Sequence, residues 1–250
     1  QKMKAGSASL VAQVVEAMTT NETFFFRDKI PFDHFRQSIM PQILKARAAR
    51  KSIRIWCAAG STGQEPYSLA MCLKEMDSQL AGWRVEIIAT DLSQEVLEKS
   101  KTGLYSQFEV QRGLPIQMLV KYFKQNGEFW QINPDIRAMV HHRQLNLLHD
   151  FSQFGTFDVI FCRNVLIYFD QDTKVNIFSR LCKIIEPDGF LVLGAALLVE
   201  FRMEPPIWVH SVAWGLLTPL VGFVLLRLLK ATLIAQQYKH KAAEGRLTSK

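Results

Sequence analysis

Residues Ile53–Ala70 read IRIWCAAGSTGQEPYSLA. Ile53–Cys57 is a short apolar run with β-branched and aromatic members, the pattern of a buried strand. Ala58, Ala59 and Gly60 are small, and Gly60-Ser61-Thr62-Gly63 makes a tight turn. Pro66 then falls in the first turn of a helix, where its missing N–H costs no hydrogen bond. An open α/β sheet builds a ligand site from strand, small-residue turn and helix in this order. The helix N-terminus and the free N–H groups of the turn face the crevice beyond the carboxyl end of the strand. The turn lacks G-x-G-x-x-G, which argues against a dinucleotide fingerprint, and it lacks the Lys-Ser/Thr ending of a P-loop. Glu65 at the helix start is wrong for a phosphate and suits a cationic ligand. From this stretch alone, a strand–helix corner with no ligand is the plainer alternative.

Strand–helix alternation continues in both directions. Val85–Thr90, VEIIAT, reads as a second strand ending in Asp91. An acidic residue at that tip is where such sheets hold a ribose hydroxyl pair; Asp91 with Ser93 can equally cap a helix Gln94–Lys101, which Gly103 stops. Ala138–Leu145 reads as a third parallel strand with the exit loop Asn146-Leu147-Leu148. His141 and His142 are adjacent, so they point to opposite faces and are assigned no chemistry. Phe157–Cys162, FDVIFC, reads as a fourth strand, apolar but for Asp158, as a parallel strand buried on both faces should be. Arg163-Asn164 sits at its carboxyl end, Val165–Phe169 follows, and Asp170 can cap a helix Gln171–Ile185. Pro187-Asp188-Gly189 reads as a turn and Phe190–Ala195 as a fifth strand. Leu104–Arg137 breaks the alternation. It reads as a small insertion on the ligand edge, with a helix near Leu114–Phe123. A hairpin of Glu128–Ile132 and Ile136–Val140 is expected around Asn133-Pro134-Asp135. Upstream, Ser9–Met18 has helical spacing, and Pro31–Ala49 reads as a helix with a break near Pro41. Phe24-Phe25-Phe26 reads as core, and Arg27 beside them as a partly desolvated charge.

With 250 residues the chain can bury a sizeable core. Its net charge of +7 is not gathered into one nucleic-acid stripe, so no nucleic-acid partner is expected. Lys45, Arg47, Arg50, Lys51 and Arg54 form one basic cluster, read as a solvated helix face, with an acidic partner as the alternative. The four cysteines, Cys57, Cys72, Cys162 and Cys182, show no C-x-x-C and no zinc spacing, so no metal site is expected. Cys57 and Cys162 lie in apolar runs and read as buried thiols in a reducing compartment. No signal peptide opens the chain, and the first residues read as the interior of a longer one.

Five motifs in order resemble one family: Thr20–Arg27 (TNETFFFR), Ala58–Tyr67, Ala89-Thr90-Asp91, Asn146-Leu147-Leu148 and Phe161–Phe169 (FCRNVLIYF). Together they resemble the CheR-type protein-glutamate methyltransferases of bacterial chemotaxis, over roughly Ser7 to Gly194. The resemblance implies an α/β fold, an open and mostly parallel Rossmann-like sheet of the S-adenosylmethionine-dependent type. It also implies cytoplasmic methylation of glutamate side chains on chemoreceptors, with S-adenosyl-L-homocysteine as the product. Carried over by motif, the cofactor would be contacted by Asn21, Thr23, Arg27, Glu65, Asp91, Asn146, Leu147, Asn164 and Val165. Arg27 and Tyr168 would lie nearest the transferred methyl and are the candidate catalytic residues. The resemblance divides the chain into a shortened N-terminal helical segment (1–50), a methyltransferase domain (51–195) with its insertion at 104–137, and an apolar tail (196–250).

Two departures accompany it. The family carries a longer helical subdomain before the Thr-Asn-Glu-Thr motif, and its sheet continues with a closing strand pair where this chain reads AALLVEFRMEPPIWVH. From about Ala196 the chain resembles instead the C-terminal part of small bacterial membrane proteins of unknown function. Ile207–Leu226 carries no formal charge and is long enough to span a bilayer, giving a possible membrane contact. The basic residues after it oppose a single orderly crossing, and an interfacial or re-entrant hairpin bent near Pro219 and Gly222 is expected instead. Two readings compete with an active enzyme: a truncated, non-catalytic module that binds cofactor or docks on a receptor, and a membrane-anchored fusion with a vestigial domain.

Overall fold

The computed structural model describes residues 21–194. The expected helix Ser9–Met18, the span Ile207–Leu226 and the rest of the tail lie outside them. Among the described residues, no helix is long and apolar enough to cross a membrane.

The described chain enters through α1 (Ile30–His34), a π-helical turn at Phe35–Ile39 and α2 (Met40–Ala46). The expected break near Pro41 is this π turn, placed just before a residue that has no N–H to give to the helix ladder. Next come β1 (Ser52–Cys57), α3 (Gln64–Lys74), β2 (Arg84–Asp91) and α4 (Gln94–Thr102). Ser93 caps α4 by accepting the N–H of Val96, and Gly103 ends it in the left-handed conformation at φ 61°. Residues 104–137 hold β3 (Leu104–Ser106), α5 (Gln107–Gln111), α6 (Ile116–Tyr122), β4 (Phe123–Asn126), β5 (Phe129–Ile132) and α7 (Pro134–Arg137). Then follow β6 (Val140–Gln144), β7 (Phe157–Cys162), α8 (Gln171–Ile184) and β8 (Ile185–Leu193).

The main sheet has the order β6-β2-β1-β7-β8, with every neighbouring pair parallel. Chain order reverses between β1 and β7, which puts a crevice beyond their carboxyl ends. β7 is buried at every position, Asp158 included, as a central parallel strand covered on both faces requires. Phe32 and Phe35, from the N-terminal helices, pack on Phe161 at ring separations of 6.1 and 5.8 Å, while Trp56 stacks on Phe157 at 5.5 Å. These contacts fix the N-terminal segment against the strands that carry the crevice.

Several expectations are corrected. α3 stops at Lys74 rather than near Leu80, and the chain continues in turns. The hairpin joins β4 to β5 around Gly127-Glu128, with Gly127 at φ 61°, and β3 adds to the other side of β5. Pro134 opens the short helix α7 instead of turning a hairpin, since its fixed φ suits a first helical turn. Pro187-Asp188-Gly189 is a bulge inside β8: Phe157 pairs with Ile185 and Val159 with Phe190.

In the basic cluster, Lys45 and Lys51 are exposed as expected, and the arginines are not a solvated face. Arg47 Nε donates to Asp158 Oδ1 at 2.6 Å, Arg50 Nη2 to the same oxygen at 2.5 Å, and Arg54 N to Asp158 Oδ2 at 2.8 Å. Arg47 also reaches Asp188 at 2.7 Å, and Arg54 pairs with Glu86, its cross-strand partner, at 2.7 Å. Asp158 is fully buried, so these arginines close one end of the sheet rather than coat a helix.

Candidate active site

The turn after β1 is stitched to the end of β2. Gly60 N donates to Thr90 O at 2.8 Å, and Ser61 N to Asp91 Oδ2 at 2.8 Å. Asp91 Oδ1 accepts the N–H of Ser93 at 3.0 Å, so its carboxylate is oriented by its own loop. Ser93 rather than Asp91 caps α4, and the carboxylate of Asp91 lines the cavity. Gly63 sits at φ 97°, and a Cβ there would stand 2.2 Å from Ser100 Oγ, so only glycine lets α3 begin this close to α4.

A second wall comes from the segment after Asn21. Phe26, Asp28 and Lys29 have φ of 52°, 65° and 42°, a left-handed run that costs each non-glycine residue about 1 kcal/mol or more. Anchors compensate: Phe25 and Phe26 are buried, and Phe26 N donates to Ser68 Oγ of α3 at 3.0 Å. Arg27 Nη1 donates to Glu22 O at 2.6 Å, and its guanidinium stands 5.7 Å from the Phe24 ring centre. The third wall is the exit from β6. Asn146 Oδ1 accepts the N–H of Leu148 at 2.9 Å, turning the chain so that Leu147 is buried. The fourth is the exit from β7, where Asn164 at φ 55° bends the chain into a short 3-10 turn, Leu166–Tyr168.

These walls enclose a cavity of about 310 Å³ at the carboxyl ends of the strands. Asn21, Thr23, Arg27, Glu65, Asp91, Asn146, Leu147, Asn164, Val165 and Tyr168, all the site residues expected from the sequence, line it together. Leu92, Leu145, Leu147 and Val165 supply apolar wall; Glu65 and Asp91 supply carboxylates. That combination fits a ligand with a flat apolar ring, vicinal hydroxyls and a cationic centre. Tyr168 is 60% exposed and stands at the mouth.

The residue that the sequence reading passed over is Arg163. It is buried, and its Nη1 donates to Glu65 Oε2 at 2.8 Å. Its Nη2 donates to the carbonyl of Arg27 at 2.8 Å and to Asp28 Oδ2 at 2.7 Å. Glu65 therefore already has a cationic partner within the chain. Burial pushes its carboxyl pKa up, and Arg163 beside it pulls the pKa part of the way back. A signal for Arg163 was present: a charge placed directly after a strand buried on both faces, at its carboxyl end, has to enter the crevice. The thiols of Cys57 and Cys162, as expected, are buried; burial raises both pKa values, that of Cys162 to about 12, so they stay neutral. Among the described residues, no group of His, Cys, Asp and Glu is arranged to hold a metal.

A switch-point cavity with this lining, on a parallel sheet, is the small-molecule site of a Rossmann-like domain. The chain belongs to the CheR methyltransferase family, whose S-adenosylmethionine-binding domain matches residues 21–204. It is 42% identical over 200 residues to chemotaxis protein methyltransferase 1 of Pseudomonas aeruginosa, covering 78% of this chain and 73% of that protein. It is 42% identical over 188 residues to chemotaxis protein methyltransferase Cher2 of Pseudomonas putida, covering 74% and 68%. Among solved structures, the glycopeptide N-methyltransferase MtfA complexed with S-adenosylmethionine is 17% identical with a TM-score of 0.35, covering 61% of this chain and 52% of that one. A second family, a protein of unknown function (DUF983), matches residues 184–238 and so overlaps the first across β8.

Proposed function

We propose that this chain methylates the side-chain carboxylate of glutamate residues on bacterial chemoreceptors, in the cytoplasm. What supports the reading most is the meeting of Arg27 and Tyr168 with two carboxylates and an apolar wall around one cavity. When bound, the cofactor supplies a methyl group on a positively charged sulfur. Asp91 would hold the ribose hydroxyls, and Asn146, Leu147, Asn164 and Val165 would enclose the base. Asn21, Thr23 and Glu65 would face the amino-acid end, Glu65 with its charge shared with Arg163.

A glutamate carboxylate has an ordinary pKa of about 4.3 and is ionised at neutral pH, so no general base is required. The work left to the protein is alignment and exclusion of water. Arg27 would orient the acceptor carboxylate by charge-assisted hydrogen bonds, and Tyr168 at the mouth would donate a second one. The arriving carboxylate loses its negative charge as its oxygen takes the methyl, so the apolar wall favours the reaction.

The test is transfer of labelled methyl from S-adenosylmethionine to the cytoplasmic fragment of a chemoreceptor. The expected product is a base-labile ester that releases methanol and maps to glutamate. Label found on lysine or another nitrogen, or no transfer by folded protein that binds the cofactor, would overturn the proposal.

A further inference from the structure

Arg163 has two arms with different partners. Nη1 is satisfied by Glu65 on α3, which already supplies a counter-charge for a buried guanidinium. Nη2 goes elsewhere, to the carbonyl of Arg27 and the carboxylate of Asp28, whose side chain is 58% exposed. Asp28 does not line the cavity, and Arg27 does. The backbone so held is the left-handed run Phe26, Asp28 and Lys29, a conformation that relaxes unless something outside it holds it. The ring of Phe32 lies 5.6 Å from the Arg163 guanidinium, fixing the plane of the fork.

We propose that Arg163 is a positioning residue for methyl transfer: it ties the backbone at Arg27 and Asp28 to the wall that carries Glu65, and so keeps the Arg27 side chain in one place in the cavity. The proposal rests on the role given to Arg27 above. A lysine in its place would keep one charge but could not span both walls, because a point charge lacks the planar fork.

The experiment uses the full chain carrying Arg163→Lys and, separately, Asp28→Asn. Asparagine tolerates left-handed backbone as aspartate does, so that variant weakens the tie without adding strain or disturbing a buried pair. Limited trypsin digestion read by mass spectrometry follows cleavage after Arg27 and Lys29, with cleavage after the exposed Lys124 as the internal reference. For Arg163→Lys, cleavage after Arg27 and Lys29 should accelerate about tenfold while Lys124 keeps its wild-type rate, since the opening is local. Its kcat should fall about tenfold with the KM for S-adenosylmethionine changed less than about threefold, and Asp28→Asn should move both readouts the same way by about threefold.

Wild-type cleavage and wild-type kinetics in both folded variants would overturn the proposal. Faster cleavage at Lys124 as well, with Asp28→Asn indistinguishable from wild type, would also overturn it by making Arg163 a purely structural charge. Should the wild type transfer no methyl while cleavage after Arg27 still accelerates in both variants, the function proposed above fails and the tie itself stands.

Discussion

The two ends of the main sheet carry the same kinds of residue and use them in opposite ways. At the amino end, Arg47, Arg50 and Arg54 converge on Asp158, Asp188 and Glu86, and the charges satisfy one another. At the carboxyl end, Arg163, Glu65, Arg27 and Asp91 surround a cavity. Individual carboxylates sit in different surroundings. Arg47 donates to Asp188, and Thr156 with Arg50 to Glu186, and both carboxyls are held below their usual range. Glu65 is pushed up, because burial removes water and a single arginine arm does not replace it. A cluster of arginine and carboxylate is therefore not in itself a site. It becomes one where the chain stops short of filling the space between the charges, and in a parallel sheet that place is the switch point.

The contrast can be broken in three ways. The largest effect is expected at the closed end. Asp158→Ala leaves Arg47 buried without its central partner, and loss of one member of such a network costs about 3–5 kcal/mol. Chemical denaturation should show that loss, while S-adenosylhomocysteine affinity per folded molecule stays at the wild-type value. An affinity that falls together with stability would mean that the two ends are coupled. At the open end, Asp91→Ala removes a carboxylate from the cavity and frees the N–H groups of Ser61 and Ser93. Calorimetry should find S-adenosylhomocysteine binding weakened by about 1–3 kcal/mol. Unchanged binding would leave Asp91 as a loop brace only. The smallest effect belongs to Tyr168→Phe, at the exposed mouth. Methyl transfer should slow about tenfold, or about 1.4 kcal/mol, with stability and cofactor affinity unmoved. Equal loss of rate and affinity would assign Tyr168 to binding rather than to the acceptor.

The one-dimensional pattern carried the sheet because burial on both faces favours apolar side chains: FDVIFC, apolar but for Asp158, reads as a central parallel strand, and all of it is buried. Capping was equally local. Ser93, Asp170 and Gly103 stand at helix ends where their side chains, or the lack of one, satisfy backbone groups within a few residues. Glu65, Asp91, Asn146, Leu147, Asn164, Val165 and Tyr168 follow strand ends, which a parallel sheet gathers at one place, whereas Asn21, Thr23 and Arg27 precede the described strands and were indicated by the family resemblance alone. The hairpin in the insertion failed for a local reason: the two-residue turn is Gly127-Glu128, where Gly127 accepts the positive φ that the strand twist demands and that Pro134 cannot adopt.

Long-range pairing of charges was beyond any local pattern. Nothing near Arg47 in the chain indicates that Asp158 lies opposite, 111 residues away, and the helical spacing of the basic cluster pointed to water instead. Arg163 was named as lying at a strand end, but its meaning required Glu65 98 residues upstream and the Arg27 carbonyl 136 residues away. Sequence alone determined the strand ends that face the crevice, because hydrophobic period is a local property, and the family resemblance supplied the individual site residues. Which of those charges arrive already paired, and which still face the cavity, was decided by tertiary structure, because ion pairing depends on distances that only the closed sheet sets.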